Sequence, residues 1–203
     1  MACRGLGAQA LFEHLLTRST PEYVAAVIAS AEGCKAKLLE AGFHELVFED
    51  FLDTFLNQLR DIAAKRVDVT QLMERMNATA NEHGGAQISD FLVMFLRVLT
   101  SAELERRKDF FMPFIAEEAV DMYAFRTQRV DPMGEEADQL HIIALVDALG
   151  VAVRVEYLDA SGTEVTHHDF MPTCGGPSAD HLGVPCVTLL YRPGHYDILL
   201  PCE

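Results

Sequence analysis

Tryptophan is absent from the 203 residues, and cations are scarce: 16 Lys and Arg stand against 31 Asp and Glu, a formal net charge of −15. A nucleic-acid binder needs a cationic surface to release counterions, so this composition argues against that class of partner. An anionic membrane surface is disfavoured for the same reason. No apolar run reaches the roughly 18 residues of a membrane span. The opening MACRGLGAQALFEHLL has neither the basic start nor the cleavage site of a signal peptide. A glycine-rich phosphate loop, a Walker sequence and a G-x-S-x-G elbow are all missing. The five cysteines, Cys3, Cys34, Cys174, Cys186 and Cys202, are odd in number and irregularly spaced. That reads as reduced thiols in a cytoplasmic or nuclear protein, not as a disulfide framework. His141, His167, His168 and Cys174 show none of the zinc-type spacings, so neither metal nor cofactor is expected.

What is present suits one domain spanning residues 1–203, half of them hydrophobic. Folding a chain of this length buries about 70% of its unfolded surface, so a core forms without staples. The first two-thirds read as helices. Leu6, Ala10, Leu11 and Leu15 recur at helical spacing. Thr20 and Pro21 open a second helix through Val24, Val27 and Ile28. A further helix is expected over Lys35–Ala41, with Gly42 as its cap. Phe48, Phe51, Phe55 and Leu59 make an apolar stripe that reads as core. After the polar break Asn77–Gly85, Ser89 is expected to cap a helix that is apolar nearly all round, hence central and buried. Arg106-Arg107-Lys108 reads as a solvated turn. Short helices are expected over Phe110–Phe114 and Val120–Phe125, and an acidic loop over Val130–Gln139.

From Leu140 the pattern changes. Residues 140–149 make a helix stopped by Gly150. Val151, Val153 and Val155 then alternate with polar neighbours, as in a half-buried strand. A turn follows at Asp159–Gly162, a short strand at Phe170–Met171, a loop at Thr173–Gly183, and strands at Val187–Tyr191 and His195–Leu200 around Arg192-Pro193-Gly194. The whole is α+β: a helical N-terminal two-thirds packed on a small, mostly antiparallel C-terminal sheet.

The sharpest chemical feature is Gly194-His195-Tyr196-Asp197. Residues two apart on a strand share a face, so His195 and Asp197 lie side by side. A carboxylate on one ring nitrogen orients the imidazole and stabilises its cation, and the other nitrogen serves as a base. The alternative is a surface pair at a hairpin edge. Such a base calls for a nucleophile, and a thiol is the natural partner. Cys3, just before the first helix, is the best-placed thiol, because a helix N-terminus lowers a thiol's pKa.

The chain resembles the otubains, cysteine deubiquitinases of the ovarian-tumour superfamily with a papain-like architecture. The likeness rests on LVFEDFLDTF (46–55), SDFLVMFLRVLTS (89–101), DFFMPFI (109–115), VDPMGEEADQLHIIAL (130–145), VRVEYLD (153–159) and LLYRPGHYDILL (189–200). The resemblance implies hydrolysis of isopeptide bonds at the ubiquitin C-terminus, often in chains of the proteasome-targeting lysine linkage. It implies His195 as base and Asp197 as the orienting acid. It places ubiquitin near Phe110, Phe114, Glu117, Glu136, Gln139, His168, Phe170 and Pro193, and a ubiquitin-conjugating E2 enzyme near Phe43–Phe51. The family's Asp-Gly-Asn-Cys nucleophile motif has no counterpart here. Arg4-Gly5-Leu6-Gly7 matches the segment that follows it, and Cys3 stands one residue before the arginine instead of three. Two residues on a helix rotate a side chain by about 200° and shift it by about 3 Å. The domain is therefore expected to be N-terminally incomplete, with the nucleophile missing or displaced. The reading from another class is a non-catalytic binder of ubiquitin or of an E2.

Overall fold

Phe48, Leu52, Phe55, Leu56 and Leu59 line the buried side of one helix, α3 (Glu45–Ala63). The computed structural model describes residues 6–78, 87–158, 165–173, 175–177 and 185–200. Before α3 come α1 (Leu6–Thr17) and α2 (Pro21–Glu40). After it come α4 (Val69–Asn77), α5 (Ile88–Arg106), α6 (Lys108–Ile115), α7 (Met122–Phe125), a π-turn (Arg126–Val130) and α8 (Gln139–Leu149). Thr20 caps α2 as expected, accepting the Tyr23 N–H at 3.3 Å. Gly42 ends it at φ 87°, with Phe43 N–H donating to Leu38 C=O and Gly42 N–H to Leu39 C=O. The helix expected over Lys35–Ala41 is the second half of α2, which runs straight through Gly33. A mid-helix glycine costs about 1 kcal/mol. Burying a leucine such as Leu38 returns about 1.5–3 kcal/mol, and Ala31 and Cys34 are buried beside it.

Helix α5 is the central one, packing on α2, α3, α4 and α8. Phe12, Phe55 and Phe95 stack in series across α1, α3 and α5, with ring centroids 5.3 Å and 4.8 Å apart. Ser89 does not cap α5. Gln87 holds the N-cap position without a side-chain cap bond, and the Ser89 hydroxyl faces Gln87 Oε1 at 3.5 Å. Arg106-Arg107-Lys108 does turn the chain, with Arg106 and Lys108 exposed, but its two arginines are also ion-paired. Arg106 donates twice to the buried Glu103 carboxylate, at 3.1 and 3.0 Å. Arg107 pairs with Asp147 on α8, whose other oxygen accepts the backbone N–H and hydroxyl of Thr173. The Asp147 side chain is 2% exposed, and a carboxylate buried that far needs these partners. Helix α4 opens on a capping box between Asp68 and Gln71, a signal present in the sequence.

The described strands are β1 (Val153–Tyr157), β2 (Thr166–Phe170), β3 (Val187–Arg192) and β4 (His195–Ile198), in the order β2-β1-β3-β4. Two pairings are antiparallel, and the central β1–β3 pair is parallel. The sheet is therefore mixed, though still mostly antiparallel by pairing. Strand β2 begins four residues before the expected Phe170–Met171, because its exposed Thr-His-His stretch hides the pattern that buried Phe170 reveals. The turn at Asp159–Gly162 and most of the loop at Thr173–Gly183 lie outside the described residues. One sheet face, with Val187, Leu189 and Ile198, packs on the helical core. Gly150 ends α8 at φ 72°, and an added Cβ would lie 2.8 Å from Pro177 Cδ and 2.9 Å from Gly176 Cα. Gly150→Ala is expected to lose at least about 1–2 kcal/mol from the left-handed backbone alone. Thermal denaturation checks this, and an unchanged midpoint would contradict it.

Candidate active site

Pro193 and Gly194 make a two-residue turn between β3 and β4. Proline presets φ at the first position, and Gly194 takes φ 76° at the second, as a type II turn requires. That turn sets the register Arg192↔His195 and Leu190↔Asp197. Alternation then puts His195 and Asp197 on one face and Tyr196 and Ile198 on the other. His195 Nε2 donates to Asp197 Oδ1 at 2.9 Å, since a carboxylate only accepts. The side-by-side placement read from the sequence is thus present in the fold. The second Asp197 oxygen accepts from Arg192 Nη2 at 2.6 Å. The hydrogen bond from His195, with Arg192 adding to it, holds the Asp197 carboxyl below its ordinary range. By sequence alone Arg192 belongs to the turn and has no assigned contact, whereas in the fold it ends β3 and reaches Asp197. The available signal was its place two residues before Gly194 in a hairpin that ends His-Tyr-Asp.

Residues 194–196 form part of the wall of a cavity of about 470 Å³. Its other walls are apolar residues of α1, α5, α8 and the sheet, among them Leu11, Leu96, Leu145 and Val153. Arg97, Glu136 and His141 supply charged or titratable lining. Above it, Tyr196 donates to Ala137 C=O at 3.1 Å, tying β4 to the acidic loop. Burial pushes the Tyr196 phenol up. Asp138 and His141 close a capping box at the start of α8, and His141 Nε2 donates to Arg129 C=O at 3.2 Å.

Neither described cysteine suits nucleophilic work. Cys34 is fully buried in the helical core, and burial pushes its thiol up to about 12. Burial raises Cys186 as well, and its sulfur accepts from the Tyr23 hydroxyl at 3.3 Å. Cys3, Cys174 and Cys202 lie outside the described residues. Among the described residues no group of three or more His, Cys, Asp or Glu side chains is placed to hold a metal ion.

The remaining residues singled out in the sequence fall on separate patches. Phe110 and Phe114 project from α6, 50% and 60% exposed, with ring centroids 5.7 Å apart. The Arg107 guanidinium lies 4.7 Å from the Phe110 ring centre and steadies it. Glu117 is exposed just past α6. Gln139 begins α8 and donates to the Tyr157 hydroxyl at 3.4 Å. Glu136 is exposed at the cavity wall, and Pro193 is exposed in the turn of the β3–β4 hairpin. His168 is exposed on β2, its ring 4.6 Å from Phe170. Phe170 itself is buried with Val146 and Val155, so it supports His168 from beneath and offers no surface of its own. Between Phe43 and Phe51, Leu46 and Val47 are exposed while Phe48 is fully buried.

Residues 6–201 match the sequence pattern of the peptidase C65 otubain family. The chain is 40% identical over 198 residues to ovarian tumor domain-containing deubiquitinating enzyme 1 of Arabidopsis thaliana, covering 93% of this chain and 63% of that protein. It is 39% identical over 165 residues to ubiquitin thioesterase OTUB1 of Homo sapiens, covering 81% of this chain and 55% of that protein. It thus spans less than two-thirds of the length of these relatives. A solved complex of ceOTUB1 with ubiquitin aldehyde and UBC13~Ub superposes with a TM-score of 0.79 at 30% identity, over 98% of this chain and 75% of that one.

Proposed function

The chain belongs to the peptidase C65 otubain family, and from that premise we propose that it serves a thiol deubiquitinase that cleaves isopeptide bonds at the ubiquitin C-terminus. The observation that carries this reading is His195, which lines the cavity and sits 2.9 Å from the Asp197 carboxylate. With Nε2 committed to Asp197, Nδ1 is the nitrogen that takes the proton from an attacking thiol and later returns it to the leaving amine. Neither Cys34 nor Cys186 is that thiol, so the nucleophile comes from outside the described residues. Ubiquitin is held by the exposed Phe110 and Phe114, with Glu117, Glu136, Gln139, His168 and Pro193 around it. An E2 enzyme docks near Leu46 and Val47. Relatives solved with ubiquitin aldehyde and UBC13~Ub support both partners.

The second reading is a non-catalytic binder of ubiquitin or of a charged E2. The burial that pushes the Cys34 thiol up, and the half-buried, hydrogen-bonded state of Cys186, favour it. Intact mass after mixing with ubiquitin that carries a thiol-reactive C-terminal warhead separates the two. An adduct, lost in a Cys3→Ala variant, would make Cys3 the nucleophile. Binding without an adduct would establish the second reading for this chain. On either reading Phe114→Asp is expected to weaken ubiquitin binding about tenfold or more, since it puts a charge at the centre of an apolar contact. Titration calorimetry checks this, and unchanged affinity would remove α6 from the ubiquitin surface.

A further inference from the structure

We infer that Arg192 is a positioning residue for the His195–Asp197 pair: its guanidinium holds Asp197 Oδ2 so that Oδ1 stays aimed at His195 Nε2. This rests on the reading of His195 as the base. The contacts are 2.6 Å from Arg192 Nη2 to Oδ2 and 2.9 Å from His195 Nε2 to Oδ1. All three side chains come from one hairpin. Arg192 lies opposite His195 and Asp197 opposite Leu190, so Arg192 and Asp197 are diagonal neighbours on the same face. A guanidinium is long enough to span that diagonal, and its donors are fixed in a rigid fork.

The ion pair has no evident use as a stability device. Its side chains are 50% and 43% exposed, and exposed pairs of this kind add little to folding. What it does is geometric. A half-exposed carboxylate with one oxygen unheld rotates and hydrates, and its hydrogen bond to the imidazole then comes and goes. Holding the second oxygen removes that freedom. The imidazole consequently keeps its proton on Nε2 and turns Nδ1 toward the nucleophile. Arg192 acts on the imidazole through Asp197, the carboxylate it is paired with.

The test is long-range proton–nitrogen NMR of the His195 ring in the full chain at one near-neutral pH, for wild type, Arg192→Ala and Arg192→Lys. The wild-type ring is expected to show the Nε2–H tautomer. Arg192→Ala is expected to shift its nitrogens toward a tautomer mixture, and Arg192→Lys to lie between, since it keeps the charge and loses the fork. Backbone amide signals away from the hairpin should stay in place, which separates this effect from unfolding. Unchanged His195 nitrogens in Arg192→Ala would overturn the proposal. So would an Arg192→Lys spectrum no closer to wild type than that of Arg192→Ala. In a turnover assay Arg192→Ala is expected to lower kcat about tenfold, less than the ~10²-fold of a group displaced by 1 Å, with KM unchanged. A rise in KM alone would instead make Arg192 a binding residue. The NMR arm needs neither thiol nor ubiquitin. A responsive ring, combined with hydrolysis that survives His195→Ala, would keep the positioning and overturn the function.

Discussion

Replacing His195 with alanine is expected to lower hydrolysis of a ubiquitin–fluorophore conjugate by about 10²–10⁴-fold, the range that a general acid–base contributes. Ubiquitin affinity is expected to stay within a few fold. The separation follows from the geometry. His195 sits on the hairpin turned toward Asp197, whereas the exposed aromatic surface lies on α6, held by Arg107 and the buried Asp147. Removing the imidazole takes away the proposed proton acceptor and leaves that surface untouched. Asp197→Asn should lower the rate less, because the ring keeps a hydrogen-bonding neighbour but loses the charge that stabilises its cation. Hydrolysis that persists in His195→Ala would show that His195 is not the base. Ubiquitin binding without hydrolysis in the unaltered chain would instead identify a non-catalytic binder.

The largest structural effect is expected at Phe55. Its side chain is fully buried between Phe12 and Phe95 and joins three helices. Phe55→Ala is expected to cost about 3–5 kcal/mol: the ring's transfer energy, plus a cavity that rigid helices on both sides cannot close. That is a large share of the 5–15 kcal/mol typical of a domain, and urea denaturation measures it directly. A loss under about 1.5 kcal/mol would mean that the three helices collapse onto the vacancy. Leu46→Ala is the control. At 82% exposure it should change stability by no more than about 0.5 kcal/mol.

Much of this protein is legible residue by residue. The helical stripe of α3, the Thr20 cap, the stops at Gly42 and Gly150, and the alternation of β1 are each local facts of backbone geometry, and each appears in the fold. The His195–Asp197 pair is legible for the same reason, because a period of two needs no knowledge of the rest of the chain. What is not legible has a common origin. The stretch between Ile28 and Lys35 reads as a gap between two helices, yet burial of Ala31, Cys34 and Leu38 carries α2 straight through it. Arg106 and Arg107 stand in an exposed stretch, as three cations in a row usually do, but their buried partners Glu103 and Asp147 are not visible in the sequence.

The sequence by itself therefore determined the α+β class, the family, the Thr20 cap, the helix stops at Gly42 and Gly150, and the shared face of His195 and Asp197. Each depends on spacings of two to four residues, or on motifs read in order along the chain. Only the tertiary structure decided the parallel pairing of β1 with β3, the link from Arg107 to Asp147 and Thr173, the burial of Phe170, and the seating of Arg192 on Asp197. Most of these join residues far apart in the chain. Arg192 and Asp197 are five residues apart, but they meet only because the two-residue turn folds β4 back on β3 in one register. Side-chain pairing across such gaps follows from how elements pack, and packing energy is shared among many residues, so no single stretch of sequence displays it.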